Sequence, residues 1–402
     1  MNKTIFNNML FYLRTLTAEQ KQQLHTFISE LIDGTKPVCS QASKMTPTCP
    51  KCTSSAIKRN GHRAGRQRYK CKTCGKTFGD SYGTPLYRSR LPLFVVEHLV
   101  ELTLLNRSIA QTAVDAGVNV KTVWLFRQKL MAAIKKRNGN QDFFTSGSIV
   151  EADEYFMPLS FKGKRDLGFF LNVLRRMPRH HYSRSDKVAY LKRKGFNPRD
   201  YIDILGTTRM RKAGHNQVSI LTAVDRTGKT FIEPLCLGSP DGYHVKNKLQ
   251  GKHAPDIVLV SDGNSVYKNY GSRCNVHLEQ VRSKEHARGA FHLAHVNSYH
   301  SRLNNFLPPQ GRCAAKYLDL YTALFRYSDK TRFWRTPDRV APLMGLLGSN
   351  TGGYNSGTEF ANKGFDFDDR GIMAWKAKGA TFVGKALQAA EKVRGWVMAF
   401  FM

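Results

Sequence analysis

Four cysteines in the first quarter of the chain are spaced like metal ligands. Cys49 and Cys52 form one CxxC pair and Cys71 and Cys74 form another, with 18 residues (53 to 70) between the pairs. Four thiolates at this spacing are typical of a closed tetrahedral zinc site of the ribbon type. Because a module of this size is too small to fold alone, the sequence predicts one structural, non-catalytic Zn²⁺.

A second group of residues suited to chemistry is acidic. The stretch VEADEYFM carries Glu151, Asp153 and Glu154, and Asp262 follows the apolar run DIVLVS. Alternate residues of a strand share a face, so we expect Glu151 and Asp153 to point one way and Glu154 the other. We expect Asp153 and Asp262 to bind metal. Glu151 is expected to contact these ligands instead of the metal, and Glu154 to pair with a basic neighbour.

Such carboxylates suit phosphoryl transfer by two metal ions. That reaction needs oxygen ligands on rigid neighbouring elements, which hold two Mg²⁺ about 3.5–4 Å apart. Asp153 and Asp262 are 109 positions apart, so only a fold can bring them together.

The strands and helices that must bring the two aspartates together begin at about residue 148. The segments SIVEADEYFM, NQVSILTAVD and KTFIEPLCL read as strands, the last two joined by a hairpin turn at Asp225. A short helix, a buried strand ending at Asp262 and further helices follow, the last being FHLAHVNSYHSRLNNFL. This order predicts an α/β fold with a ribonuclease-H-like core, in which the first and fourth strands are neighbours.

Helices are predicted between the cysteines and this core. In RSIAQTAVDAGVNVKTVWLFRQKLMAAI, the small Ala113, the turn residue Gly117 and the apolar Val123 have helix-turn-helix spacing. Two ordinary packed helices are the alternative. If the pair binds DNA, the residues expected near the major groove are Asn119, Lys121, Thr122 and Arg127.

The net charge of +33, from 63 Lys and Arg against 30 Asp and Glu, indicates a polyanionic partner. Nucleic acid is the first candidate and an anionic membrane surface the second, but no apolar run approaches the roughly 18 residues of a membrane helix. The start of the chain reads as a helix, not a signal peptide. We therefore expect a cytoplasmic, nucleoid-associated protein whose partner is double-stranded DNA.

Taken together, these motifs resemble bacterial insertion-sequence transposases of the ISXO-type branch over about residues 47 to 330. The resemblance rests on CPKC…RQRYKCKTCGKTF, EADEYFMPLSFKGKR, SILTAVDRTGKTFIEPL, VLVSDGNSVYKNY and HVNSYHSRLNNFL. It implies a DDE-like core whose third metal residue is Asn297, 35 positions after Asp262. Glu279 and Glu285 are the alternatives for that role.

The chain departs from the family pattern in places. The family's Lys after SRL is Asn304 here, and Arg302 is the nearest substitute. The connection containing RRMPRHHYSRSDK is longer than the family's usual one. Residues from Lys330 on match nothing in the family. Further DNA contacts near the site are expected from Lys162, Lys164 and Arg165, and His295 and His300 are expected to pack or to contact DNA.

Five segments are therefore expected: a helical segment with a linker (1–46), a zinc ribbon (47–78), a helix-turn-helix (92–138), a ribonuclease-H-like core (148–329) and a C-terminal extension (330–402). The predicted function is that of a DNA transposase. It would bind its element's terminal inverted repeats as a homo-oligomer and catalyse Mg²⁺-dependent strand cleavage and strand transfer. The alternatives are a catalytically inactive DNA-binding regulator and a Mg²⁺-dependent nuclease.

Overall fold

The structure is a computed structural model that describes residues 17–22, 48–63, 66–79, 81–138, 143–164, 166–174, 177, 183–201, 205, 217–282, 285, 287–307, 313–349 and 357–369. The chain divides into two compact units. The head unit comprises Met1–Arg137 and Thr331–Asn362, and the core unit comprises Asn138–Lys330 and Lys363–Met402. The region expected as one extension after residue 329 is thus divided between the two units.

The cysteine-bearing part of the head unit is a small antiparallel sheet of three strands, β1 (Ile57–Arg63), β2 (Arg66–Cys71) and β3 (Thr77–Gly79). Tyr69 on β2 pairs with Phe78 on β3, and their ring centroids are 5.8 Å apart. Phe78 also packs against Tyr82, whose ring centroid lies 6.4 Å from its own.

Most of the remaining described head unit is helical. The three that follow the cysteines are α1 (Leu93–Leu104), α2 (Ile109–Asp115) and α3 (Val120–Asn138). Gly117 joins α2 to α3 with a φ of +63°, which glycine adopts without strain. Ala113 and Val123 are buried, as their spacing predicted. Two later helices, α9 (Thr336–Gly348) and α10 (Gly357–Ala361), also belong to this unit, and α9 packs against α1.

The core unit is built on a mixed sheet of five strands in the order β6-β5-β4-β7-β8. The strands are β4 (Ile149–Pro158), β5 (Gln217–Asp225), β6 (Thr230–Leu237), β7 (Val258–Ser261) and β8 (His277–Gln280). β5 runs antiparallel to both of its neighbours, whereas β7 and β8 run parallel to β4. The predicted adjacency of the first and fourth strands of the core is confirmed.

Helices cover both faces of this sheet. On one face, α5 (Gly242–Leu249) and α6 (Ser265–Cys274) share a buried core with Val150 and Ala152 of β4. On the other face, α7 (Ala294–Phe306) contacts β4 and β5, and α8 (Leu318–Lys330) contacts β6. A two-stranded hairpin, β9 (Ala287–Arg288) and β10 (Phe291–His292), leads directly into α7.

Two further segments complete the core unit. The long connection between β4 and β5 contains α4 (Arg184–Arg193), which helps to form a small apolar cluster with Leu171, Tyr201 and Leu205. After the head-unit helices the chain returns along the edge of β6. There Asp368 donates its N–H to the carbonyl of Leu235 and accepts from the N–H of Leu237, at 3.1 and 2.9 Å. The apolar segment ALQAAEKVRGWVMAFFM at the end of the chain, which the sequence predicts to be a helix, lies outside the described residues.

Candidate functional site

The four clustered cysteines converge on one point. Their sulfur atoms all lie within 4.8 Å of one another, with 3.4 Å between Cys49 and Cys74 and 3.6 Å between Cys52 and Cys71. Zn–S bonds of about 2.3 Å in a tetrahedron would put the sulfurs about 3.8 Å apart. The backbone N–H of Cys74 lowers the pKa of the Cys71 thiol to about 6, which favours the thiolate that metal binding requires. The donor set therefore fits a single zinc ion.

Asp153 lies on β4 of the core sheet, and Asp262 directly follows the neighbouring strand β7. β4 and β7 are parallel neighbours whose paired residues end with Glu151 opposite Val260, and Asp153 and Asp262 each follow two residues later. Neighbouring strands are about 4.8 Å apart, and residues in register on parallel strands point to the same face. Asp262 lies between the end of β7 and the start of α6, and its carboxylate is close enough to raise the pKa of Asp153.

The electrostatics of this pair favour a bound cation. Burial raises the pKa of Asp153 to about 6, and the Asp262 carboxylate adds to the increase. The N–H of Glu154 donates to Asp153 Oδ1 at 2.8 Å, and the N–H of Asn264 donates to Asp262 Oδ1 at 3.0 Å. Two hard oxygen donors, one of them reluctant to ionise in the absence of a cation, form a ligand set suited to Mg²⁺.

Helix α7 runs along the same face as Asp153. Near its start it contacts Glu151, further on His300 Nδ1 lies 3.8 Å from Asp153 Oδ2, and then Asn304 accepts a hydrogen bond from the Tyr155 hydroxyl at 3.0 Å. Nine helical residues rise about 13.5 Å and four strand residues about 13 Å. Contacts between α7 and β4 can therefore continue along the length of both elements.

Asn297 belongs to this stretch of α7. It is exposed and shares a helix face with His300 and Asn304, at spacings i, i+3 and i+7. The residue that touches Asp153 is His300, whose Nε2 is also 2.5 Å from the Thr222 hydroxyl. Burial lowers the pKa of His300 to about 4, so its ring is neutral near pH 7. The alternative third residue Glu279 pairs with His277 at 3.0 Å on the outer strand β8.

Glu151 is the centre of a cluster that the sequence did not reveal. Its side chain is completely buried and accepts from the backbone N–H groups of His295 and Val296, at 2.8 and 3.1 Å. His292 and His295 could join it in holding a metal ion. However, the Arg226 guanidinium lies 3.2 Å from Glu151 and 2.6 Å from His292 Nε2. The cation that balances Glu151 is therefore an arginine, and the cluster ties β4 to the start of α7.

The expectation for Glu154 was half right. It does point away from Asp153, towards α6, but no Lys or Arg of the described chain pairs with it. Its neighbours are Tyr267 and Asn264, and burial raises its pKa to about 7, with Asp153 and Asp262 adding to the effect. The predicted basic partner is wrong because this face of β4 packs on an apolar core, where a basic side chain would be desolvated.

Three of the residues proposed to bind DNA lie at or directly before the start of α3. Lys121 is exposed and Thr122 is half-buried, while Asn119 is exposed and accepts from the N–H of Lys121 at 2.9 Å. Arg127 corrects the prediction, because it is completely buried and donates to the Thr112 hydroxyl of α2 at 3.1 Å. Its guanidinium links the two helices and cannot reach a groove.

The remaining basic residues lie in the core unit. Lys162 and Lys164 follow β4, and the Lys164 ammonium is 4.1 Å from the centre of the Phe169 ring. Arg165 lies outside the described residues. Arg302 on α7 binds the buried Asp329 of α8 through Nε and Nη2, at 2.5 and 3.3 Å. Its observed role is to join two helices.

Comparison with known proteins gives a limited match. No family model matches the chain. Over 119 residues it is 30% identical to an uncharacterized protein in transposable element ISH50 of Halobacterium salinarum. These residues are 29% of this chain and span 38% of the relative. A pre-cleavage Mos1 transpososome aligns with 60% of this chain and 75% of that chain at 11% identity, but the TM-score of 0.18 is too low to establish a common fold. In the described residues, no helix is long and apolar enough to cross a membrane.

Proposed function

We propose that the protein is a DNA transposase of the DDE type. The observation that supports the proposal most is the proximity of the Asp262 carboxylate to Asp153 of β4, beside the parallel pair of strands β4 and β7, with His300 of α7 next to Asp153. In chain order the sheet reads 3-2-1-4-5 with an antiparallel second strand, which is the arrangement of a ribonuclease-H-like core. The similarity to a protein of a transposable element supports the same assignment.

The chemistry would take place at the aspartates. Two Mg²⁺ held by Asp153, Asp262 and Asn297 would activate the attacking oxygen and stabilise the leaving oxygen. The first attacking group would be water and the second a freed DNA 3′-hydroxyl, so no covalent enzyme intermediate forms. His300 lies beside Asp153 and is neutral near pH 7, so it would add no positive charge that competes with the metal. Glu151 keeps α7 at a fixed distance from β4.

Recognition of the element's terminal inverted repeats would belong to the head unit. The cysteine cluster would be a zinc ribbon whose exposed Lys58, Arg59 and Lys70 contact phosphates. Helices α2 and α3 would form a helix-turn-helix that places Lys121 and Thr122 in the major groove. Near the active site, Lys162, Lys164 and Arg165 would hold the DNA backbone. Cutting and joining two ends requires more than one copy, and we propose a homo-oligomer on DNA.

The test is strand cleavage of a duplex that bears an element end, with Mg²⁺ and the full-length protein. Asp153→Ala and Asp262→Ala should abolish cleavage and strand transfer but retain binding to the duplex. Asp256→Ala, at the other end of the β7 segment, is the matched control and should cleave like the parent.

Three outcomes would contradict the proposal. A parent protein that binds ends but never cuts is a regulator. One that cuts without joining strands is a nuclease. Cleavage by Asp262→Ala at the parental rate would show that the metal site lies elsewhere.

A further inference from the structure

Two aromatic side chains stand in solvent on the turn between α8 and α9. Phe333 is 85% exposed and Trp334 is 51% exposed. Phe333 is the most exposed large apolar side chain in the described part of the chain. Apolar residues scattered singly on a surface are ordinary, but an adjacent pair of aromatic rings held in water is typical of a binding site.

The turn that carries these rings is well anchored. The N–H of Trp334 donates to the carbonyl of Thr331 at 3.0 Å, and Thr331 itself is buried. Arg339 of α9 donates from Nε to the Thr331 hydroxyl at 3.3 Å. A proline in the first turn of α9 fixes the backbone on the other side. The rings are therefore displayed by a pre-ordered backbone, which lowers the entropy lost when a partner binds.

The charges around the rings are mainly positive. The Arg332 guanidinium carbon lies 4.5 Å from the centre of the Phe333 ring. Arg335, on the other side of Trp334, has a side chain that is 87% exposed and pairs with Asp338 at 3.1 Å. Aromatic rings interleaved with arginines match a ligand that offers flat apolar faces and negative charges at regular intervals. Unpaired nucleotides are such a ligand, because their bases stack on aromatic rings while their phosphates bind arginine.

We propose that Phe333 and Trp334 form a stacking site for unpaired bases of DNA, with Arg332 and Arg335 beside the adjoining phosphates. The site rests on the proposed DNA-binding function and adds to it a preference that the carboxylates and the head-unit helices do not supply. In a duplex the faces of the bases are already stacked on each other, so the aromatic pair distinguishes single-stranded from double-stranded DNA.

The experiment compares binding of the full-length protein to a single-stranded oligonucleotide and to the blunt duplex of the same sequence, each with one 2-aminopurine. Phe333→Ala and Trp334→Ala should each weaken single-strand binding roughly 10-fold, and duplex binding by less than about twofold. Trp334→Phe should recover most of the loss. The parent should quench 2-aminopurine in the single strand, and the alanine variants should quench it less. Tyr243→Ala, an exposed aromatic of α5 in the core unit, is the matched control and should match the parent.

The outcomes separate this inference from the proposed function. Equal losses for both nucleic acids would assign the turn to phosphate binding or to folding, and unchanged single-strand binding would remove the site. If the alanine variants instead change the sedimentation of the DNA-free protein, the rings are a contact between copies and the inference is overturned. A parent that binds neither nucleic acid would overturn the proposed function as well, whereas tight duplex binding with insensitive variants would overturn only the stacking site.

Discussion

At the scale of single residues, Asp153 and Glu154 show how one strand sends adjacent carboxylates into different surroundings. Asp153 meets Asp262 and His300 on the α7 face, and Glu154 enters the apolar core beside Tyr267 on the α6 face. Burial raises the pKa of both groups, to about 6 and about 7. A metal ion can compensate the buried negative charge of Asp153, whereas no basic side chain of the described chain compensates that of Glu154.

Glu154 should therefore destabilise the metal-free protein at high pH. Its pKa is raised in the folded state, so the folded protein binds more protons than the unfolded chain, and stability falls as pH rises from about 4.5 through about 7. Above that range Glu154→Gln should be more stable than the parent, by on the order of 2–3 kcal/mol. At pH 4 the difference should vanish. Thermal denaturation without added Mg²⁺ measures it, and a variant equally stable or less stable at pH 8 would refute the argument.

Asn297 offers a neutral oxygen, and its proposed role as a metal ligand can be tested by replacing it with a residue that has no oxygen ligand or with a carboxylate. Asn297→Ala should reduce Mg²⁺-dependent cleavage at least about 100-fold, whereas Asn297→Asp should retain activity because a carboxylate is also a hard oxygen ligand. Asn305→Ala is the control, since this exposed residue lies on another face of α7. If Glu285→Ala abolishes cleavage and Asn297→Ala does not, the third ligand has been misassigned.

At the scale of elements, α7 is held to β4 by a buried charge. Glu151 is fully buried against Arg226 and the first N–H groups of the helix. Removing one partner of a buried pair typically costs about 3–5 kcal/mol, because the other charge is left uncompensated. Arg226 keeps some contact with solvent, so Glu151→Gln should lower the stability of the core unit by about 3 kcal/mol.

Chemical denaturation followed by far-ultraviolet circular dichroism measures this loss. Glu233→Gln removes a partly exposed partner of Lys248 and should cost less than about 1 kcal/mol. Equal effects of the two substitutions would mean that Glu151 does not act as the anchor of α7.

The cysteine module should behave as an element that depends on its metal. Structural zinc contributes on the order of 10–16 kcal/mol to small modules, so Cys71→Ser should unfold residues 47–78 while the core unit stays folded. Zinc content should fall from about one ion per chain to none, and limited proteolysis should cut within this segment. Cys274→Ser, outside the cluster, should keep its zinc. A variant at Cys71 that retains zinc and resists protease would exclude the ribbon.

At the scale of the whole molecule, the large positive net charge is expected to determine how strongly the protein binds DNA. The excess of 33 positive charges should make DNA binding steeply dependent on salt, because each phosphate contact releases condensed counterions. With about 6–10 such contacts, affinity should fall roughly 10³–10⁵-fold between 50 and 200 mM salt. Fluorescence anisotropy with a random duplex measures this term without any contribution from sequence recognition. A flat response would argue against DNA as the partner.

The sequence alone determined whatever depends on local spacing. The two sulfurs of each CxxC pair come together on a tight turn, and the hairpin at Asp225 forms because its carboxylate accepts the N–H groups of Thr227 and Lys229. The order of strands and helices was also readable, since a buried strand and an amphipathic helix have different apolar periods. From that order came the adjacency of β4 and β7, and with it the pairing of Asp153 with Asp262.

Only the tertiary structure decided how side chains far apart in sequence combine. Arg127 lies on the first half of α3, yet the packing of that helix buries it against Thr112. The Glu151 cluster joins a strand, a turn and the segment around α7, and its members Arg226 and His292 lie 75 and 141 positions away. The absence of a basic partner for Glu154 in the described chain likewise depends on what covers the other face of β4. The apolar periodicity of a sequence predicts which residues are buried. It does not predict which residues they contact, because those contacts depend on the packing of elements that are distant in sequence.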